Sequence, residues 1–168
     1  MSHRLLMQCV ALCALALSPA PGARAVPTDA AAEAPADAQA RQVLGRWLTE
    51  TRDGIIEISL ATDGTYQGQL IGGDHPKRVD TNNPDPAKRS ELLLGEVILQ
   101  RLSYKGHGQW SGGSVYDPNS GRFYHCSIEM LDQDHLRLRG FVGISLLGSS
   151  QVWTRYTGTS LELPLATH

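Results

Sequence analysis

Ile56-Glu57-Ile58-Ser59-Leu60-Ala61-Thr62-Asp63-Gly64-Thr65-Tyr66-Gln67-Gly68-Gln69-Leu70 is the stretch that decides the fold class. Ile56, Ile58 and Leu60 alternate with Glu57 and Ser59, and Tyr66, Gly68 and Leu70 alternate with Gln67 and Gln69. A period of two puts successive side chains on opposite faces of a strand, so each run has one apolar and one wetted face. Between them, Thr62-Asp63-Gly64 offers the residue types that accept the backbone conformations of a tight turn. The stretch is therefore read as a β-hairpin.

The same pattern extends in both directions. Gly45–Thr49 precedes the hairpin, and Leu93–Leu102, Gln109–Tyr116, Phe123–Leu131, Leu136–Val142 and Gln151–Tyr156 follow it, giving eight predicted strands. Most are joined by short turns such as Asp117-Pro118-Asn119-Ser120-Gly121, and no amphipathic helix of useful length lies between them. The exception is a polar loop over Gly72–Ser90, where Asn83-Pro84 and Asp85-Pro86 oppose both helix and central strand. An antiparallel meander of eight strands has two edges to satisfy, and closing on itself removes both. The expectation is an all-β protein, an eight-stranded antiparallel up-and-down barrel, with a β-sandwich as the alternative. Gly68, Gly112, Gly113 and Gly140 inside the strands are read as bulges or bends that closure needs.

Length and charge agree with one modest domain. The chain has 168 residues, with 15 Lys and Arg against 17 Asp and Glu, a balance that argues against a generic nucleic-acid binder. The first 25 residues read as a secretory signal: His3 and Arg4 give a basic start, Leu5–Leu17 is apolar, and Ala23-Arg24-Ala25 offers a cleavage site. Ser18, Pro19 and Pro21 break the apolar run before it reaches the ~20 residues of a membrane span. Neither Cys9 nor Cys13 stands in a lipidation context. Cleavage after Ala25 would remove Arg4, Arg24 and both of those cysteines, leaving a more acidic chain with Cys126 alone and no intramolecular disulfide. The expected destination is the periplasm or the medium. Residues 26–41 are rich in Ala and Pro and read as a linker, 42–160 as the barrel domain and 161–168 as a C-terminal tail.

Gly45-x-Trp47 opens the first strand and Trp153-x-Arg155 closes the last. In a barrel those strands are neighbours, so the Arg155 guanidinium can lie over the Trp47 indole, a cation–π contact worth about 0.5–2 kcal/mol. This pairing resembles the structural signature of calycins, the lipocalin, fatty-acid-binding and avidin-like barrels. A longer ordered set is more specific: Gly45-x-Trp47-x-Thr49, Asp80-Thr81-Asn82-Asn83-Pro84-Asp85, Leu94-Gly95, Trp110-x-Gly112-Gly113-x-Val115-Tyr116-Asp117-Pro118, Tyr124, Leu136-x-Leu138-Arg139-Gly140-x-x-Gly143, Leu147-Gly148 and Trp153-x-Arg155. By these motifs, over about residues 45–156, the chain resembles the domain of unknown function 2147 family of secreted bacterial proteins. The resemblance implies an exported calycin-like barrel and no established activity. Phe141 departs from the tyrosine expected after Arg-Gly, which removes a hydroxyl there.

Candidate ligand contacts fall in two groups. Asp80, Asn82, Asn83, Asp85 and Arg89 would form a polar lid if the long loop folds over a barrel mouth; the same residues also build turns through their own backbone, and the oxygens could be offered to calcium. Trp110, Tyr116 and Tyr124 lie on adjacent predicted strands and either pack the core or line a cavity. Leu136 and Leu138 facing inward would leave Arg137 and Arg139 in solvent.

Metal and catalytic chemistry find little in the pattern. His75, His107, His125, His135 and His168 show no zinc-ligand spacing. There is no nucleophile elbow, phosphate-binding loop or dinucleotide fingerprint, and Cys126 and His125 alternate to opposite faces of one strand. No cofactor and no metal are therefore expected. The sequence favours an exported module holding a small amphipathic ligand, with a filled-barrel envelope interaction protein as the alternative and an enzyme behind both.

Overall fold

The computed structural model describes residues 35–143 and 148–164. The expected signal over 1–25, most of the linker and Leu147 of the Leu147-Gly148 motif lie outside the described residues. A short helix, α1 (Pro35–Ala40), leads into β1 (Gly45–Leu48), β2 (Gly54–Leu60), β3 (Tyr66–Gly73), β4 (Val97–Gly106), β5 (Gln109–Asp117), β6 (Arg122–Met130), β7 (His135–Phe141) and β8 (Gly148–Arg155). A 3₁₀ turn at Pro86–Lys88 interrupts the long loop. No described helix is long and apolar enough to cross a membrane.

The strands pair antiparallel in sequence order, and β1 pairs with β8, so the sheet closes into a barrel. Closure joins Trp47 to Arg155 and Leu48 to Thr154. Both edges of the meander are thereby satisfied, and the sandwich alternative is set aside.

The β2–β3 hairpin forms where the alternation places it, with Ile56 opposite Leu70 and Ile58 opposite Gly68. Two details depart from strict alternation. A register shift between Ile55 and Ile56 lets both isoleucines be buried, whereas Leu60, at the end of β2, is 57% exposed. A strand end runs past the packed interior, so its apolar parity no longer finds a core.

Strand β4 begins at Val97, four residues later than the leucine run suggests. Leu93 donates its backbone N–H to Arg78 O at 3.0 Å, and Leu92 bridges Val79. The backbone of Leu92 and Leu93 pairs with the long loop, and the chain reaches β3 only after them, where Gly95 N donates to Leu70 O at 2.7 Å and Leu70 N to Glu96 O at 2.9 Å. Leu93 is buried beneath the loop while Leu92 and Leu94 remain exposed.

Of the strand glycines, Gly112 occupies φ +83 at the register shift between Ser111 and Gly113, and Gly68 sits between two shifts in the β3–β4 ladder. A left-handed conformation inside a strand is costly for residues with a Cβ, which is why glycine serves at the bulge. Gly140 differs: its ladder to β6 and β8 is regular.

Leu136 and Leu138 are buried. On the alternate positions, Arg137 pairs with Glu129 at 2.7 Å and Arg139 donates to Ser150 Oγ at 3.2 Å. The chain after β8 returns to β3: Gly73 donates to Leu161 O at 3.0 Å and Leu163 donates to Gly73 O at 3.1 Å.

Candidate functional site

In an up-and-down barrel alternate connections lie at the same end, and the two ends here differ. Toward the β2–β3, β4–β5 and β6–β7 turns the interior is filled by Trp47, Leu99, Leu102, Trp110, Ile128 and Leu136, all inaccessible to solvent. The Arg155 guanidinium lies 4.1 Å from the Trp47 ring centroid and donates to Gln42 O, Leu44 O and Gln133 O at 2.8, 3.1 and 2.8 Å. Trp47 itself donates to Val43 O at 2.8 Å. These bonds hold the lead-in segment and the β6–β7 turn across this end.

Among the described residues the other end is open. A cavity of about 770 Å³ lies among the β1–β2, β3–β4 and β5–β6 connections and the facing ends of β7 and β8. Its apolar wall includes Ile56, Leu70, Ile98, Val115, Leu138 and Trp153. Gly140 lines it too, and a Cβ there would make only ordinary contact with Val115 and Tyr124, so the missing side chain leaves room. Trp153 donates to Gln151 Oε1 at 3.0 Å, which gives its indole N–H a partner.

The mouth is polar, with Asp53, Asp74, His75, Arg78, Asp117 and Asn119 among its lining. Burial pushes the Asp53 carboxyl up, but hydrogen bonds from Thr51 and Thr49, its own backbone N–H and the Arg78 charge outweigh that and hold it below the usual carboxylate range. Arg78 donates to Asn119 Oδ1 at 2.9 Å, tying the long loop to the β5–β6 turn. Asp117 accepts from Asn119 N at 2.9 Å and Ser120 Oγ at 2.7 Å.

The five loop residues singled out from the sequence stand beside this cavity without lining it. Asp80 is buried and accepts from the Tyr116 hydroxyl at 2.8 Å through each carboxylate oxygen, and from Asn83 Nδ2 at 2.7 Å. Asn83 Oδ1 accepts from Asp85 N, Asp85 caps the 3₁₀ turn through Ala87 N, and Arg89 donates to Asn83 O at 2.8 Å. Asn82 donates to Pro118 O and Asn119 O at 3.1 and 3.0 Å. Gly121, at φ +66, permits that approach, since a Cβ would collide with the Asn82 carbonyl. The loop is a knot of turns fastened to β5, not a lid.

Burial, with the hydrogen bond and charge of Asp80, pushes the Tyr116 phenol upward. Burial, with Asp80 nearby, likewise raises the Glu96 carboxyl.

Among the three aromatics, Tyr116 and Tyr124 line the cavity and Trp110 does not. The Trp110 ring packs in the filled half against Tyr66 and Tyr104, at 6.0 and 5.0 Å between centroids, and its N–H has no acceptor among the described residues. Cys126 is buried, and that burial pushes its thiol up to about 12, while the neighbouring His125 is exposed. The adjacent pair makes no nucleophile–base dyad. Among the described residues no three His, Cys, Asp or Glu side chains converge as a metal site.

Asp53, Asp74, His75 and Arg78 escaped the sequence reading. For Asp53, Asp74 and His75 the signal lay in their position beside the ends of β2 and β3, whereas Arg78 reaches the mouth from within the long loop.

A family model described as an uncharacterized protein conserved in bacteria, DUF2147, matches residues 45–155. Among solved structures, the chain is similar to one described as protein HP1028 from the human pathogen Helicobacter pylori, belonging to the lipocalin family. The two share 20% identity with a TM-score of 0.61, covering 68% of this chain and 82% of that one. At that identity the likeness is one of fold. No curated protein matches the chain.

Proposed function

The chain belongs to the DUF2147 family, and from that premise we propose that its barrel is an exported module that holds a small amphipathic ligand. The observation that carries the reading is the cavity of about 770 Å³, apolar below and polar at its mouth. A concave apolar site with a few polar groups is what a small amphipathic molecule requires: burial of its tail supplies affinity and the rim orients its head. The filled half supports the site by making the cavity floor rigid.

Native mass spectrometry of the protein from its own cells tests this. The expected result is a mass excess that disappears on denaturation, or uptake of decanol by the apo protein. A bare mass together with no uptake of decanol overturns the reading. Export rests on the sequence of residues 1–25, and the N-terminal residue of the cellular protein tests it: Val26 is expected, and an intact N-terminus refutes cleavage.

A second reading has its own observation. Phe123 and Val142 are exposed at the open end, beside a shallow hollow that also includes His125 and Phe141. Apolar side chains left in solvent favour a contact with another protein of the envelope.

A further inference from the structure

We propose that Gln151 decides the chemistry of the ligand: its carboxamide offers N–H donors to the cavity, so the molecule held there carries a neutral carbonyl oxygen, as an ester, ketone or amide does. This rests on the ligand-binding reading above. Placement comes from the register of β8, which runs from Gly148 at the open end to Arg155 at the filled one. Ser149, Gln151 and Trp153 share one face of the strand by alternation, and all three line the cavity. The residues between them face outward: Ser150 accepts from Arg139, and Val152 is 36% exposed. Leu138 stands opposite Gln151, and Leu136 opposite Trp153. Gln151 thus places an amide between the rim and the floor, in a wall otherwise built from Ile56, Leu70, Val115 and Leu138. A polar side chain at an inward position of a strand breaks the apolar pattern, and such breaks mark function.

The second observation fixes which end of that amide is offered. An indole N–H only donates, and Trp153 Nε1 donates to Gln151 Oε1 at 3.0 Å. Turning the amide over would set N–H against N–H and lose the bond. The oxygen is therefore committed to Trp153, and Nε2 lies on the other branch of the amide, with no acceptor among the described residues. Trp153 acts here as a positioning residue, making Gln151 a donor toward the cavity. Room for a partner exists beside it, since Gly140, opposite Ser149 on the neighbouring strand, contributes no side chain to the lining.

In the empty cavity water serves these donors, because Gln151 is exposed to it. A ligand that fills the cavity expels that water, and a donor left unmet then costs affinity. A carbonyl oxygen meets the need with two lone pairs and brings no donor of its own to satisfy. An ammonium group has no lone pair to offer, and a carboxylate would exchange its hydration for one neutral amide. The Ser149 hydroxyl both donates and accepts, so the preference rests with Gln151. The ligand's apolar part then lies on Trp153 and Leu138, with its carbonyl at the level of Gln151.

Calorimetric titration of the purified protein and of Gln151→Glu with 2-decanone, 2-decanol and 1-chlorodecane tests the assignment. In Gln151→Glu one carboxylate oxygen still receives the Trp153 N–H, while the other puts an acceptor where the donor stood. The alcohol can donate to that oxygen and the ketone cannot. The ratio of 2-decanone to 2-decanol affinity is therefore expected to fall at least about tenfold, the scale of one mismatched buried hydrogen bond. Should circular dichroism show that Gln151→Glu does not fold, Gln151→Met takes its place. There 2-decanone is expected to weaken by a similar factor relative to 1-chlorodecane, whose chlorine is a feeble acceptor. An unchanged ratio in the folded variant overturns the proposal while leaving the ligand-binding reading intact. Binding of 2-decanol but not 2-decanone by the unsubstituted protein overturns it equally. Failure of all three probes to bind the folded protein overturns the ligand-binding reading itself, and this proposal with it.

Discussion

Arg155 lies with its guanidinium carbon 4.1 Å above the Trp47 ring, and the two residues are direct partners in the ladder that joins the last strand to the first. The contact is a seam as well as a cation–π pair. The same guanidinium reaches three backbone carbonyls on two other segments, so it fastens the lead-in and the β6–β7 turn to the closure.

Replacing Arg155 by Lys keeps the charge but loses the planar fork that serves three acceptors in different directions. A loss of about 1–3 kcal/mol in unfolding free energy is expected by denaturant titration. A change below about 0.5 kcal/mol would show that water replaces those bonds without cost.

Tyr116→Phe removes the hydroxyl that both Asp80 oxygens accept, leaving a buried carboxylate with fewer donors. Stability should fall by about 1–3 kcal/mol, and amides at Asp80, Asn83 and Leu93 should exchange faster as the loop loosens from β5. Unchanged protection of those amides would mean that the Asn82 and Arg78 contacts hold the loop without Tyr116.

Gly140→Leu places a side chain in the cavity at a site where the first carbon makes only ordinary contacts with Val115 and Tyr124. Decanol uptake should drop about tenfold or more while unfolding free energy shifts by less than about 1 kcal/mol. Undiminished uptake would move the ligand away from this wall.

The Cys126 thiol is protonated in both folded and unfolded chains below its ordinary value of 9.0, and burial keeps it so in the native state up to about 12. Between those limits the unfolded chain releases the proton and the native one does not, so stability falls as pH rises. The slope is roughly 1.4 kcal/mol per pH unit for one group. Cys126→Ala should lower stability at neutral pH yet show a shallower decline above pH 9. A disulfide reagent at pH 8 should modify Cys126 only after denaturation, and rapid modification of the native protein would contradict this burial.

Most of the barrel was legible because its causes are local. Ile56 to Leu70 declares its face by alternation and its turn by Asp63-Gly64, and Gly45-x-Trp47 with Trp153-x-Arg155 marks the ends that must meet. The start of β4 was not legible, since a leucine run looks alike whether it pairs with a neighbouring strand or covers a loop. The site was less legible still. Asp80 and Asn83 drew attention as polar residues in a loop, but their hydrogen-bonding capacity is turned inward on Tyr116 and on each other. Asp74 drew none, though it stands at the mouth.

The order of residues thus dictated strand alternation, turn chemistry and the complementary pair at the two chain ends, all of which depend on neighbours a few positions apart or on one matched contact. Which half of the barrel is filled and which is open depends on register, on bulges at Gly68 and Gly112, and on whether an aromatic such as Trp110 or a small residue such as Gly140 arrives at a given level. Those quantities arise only when eight strands are staggered against one another, because cavity volume is a property of the closed sheet and of no single strand.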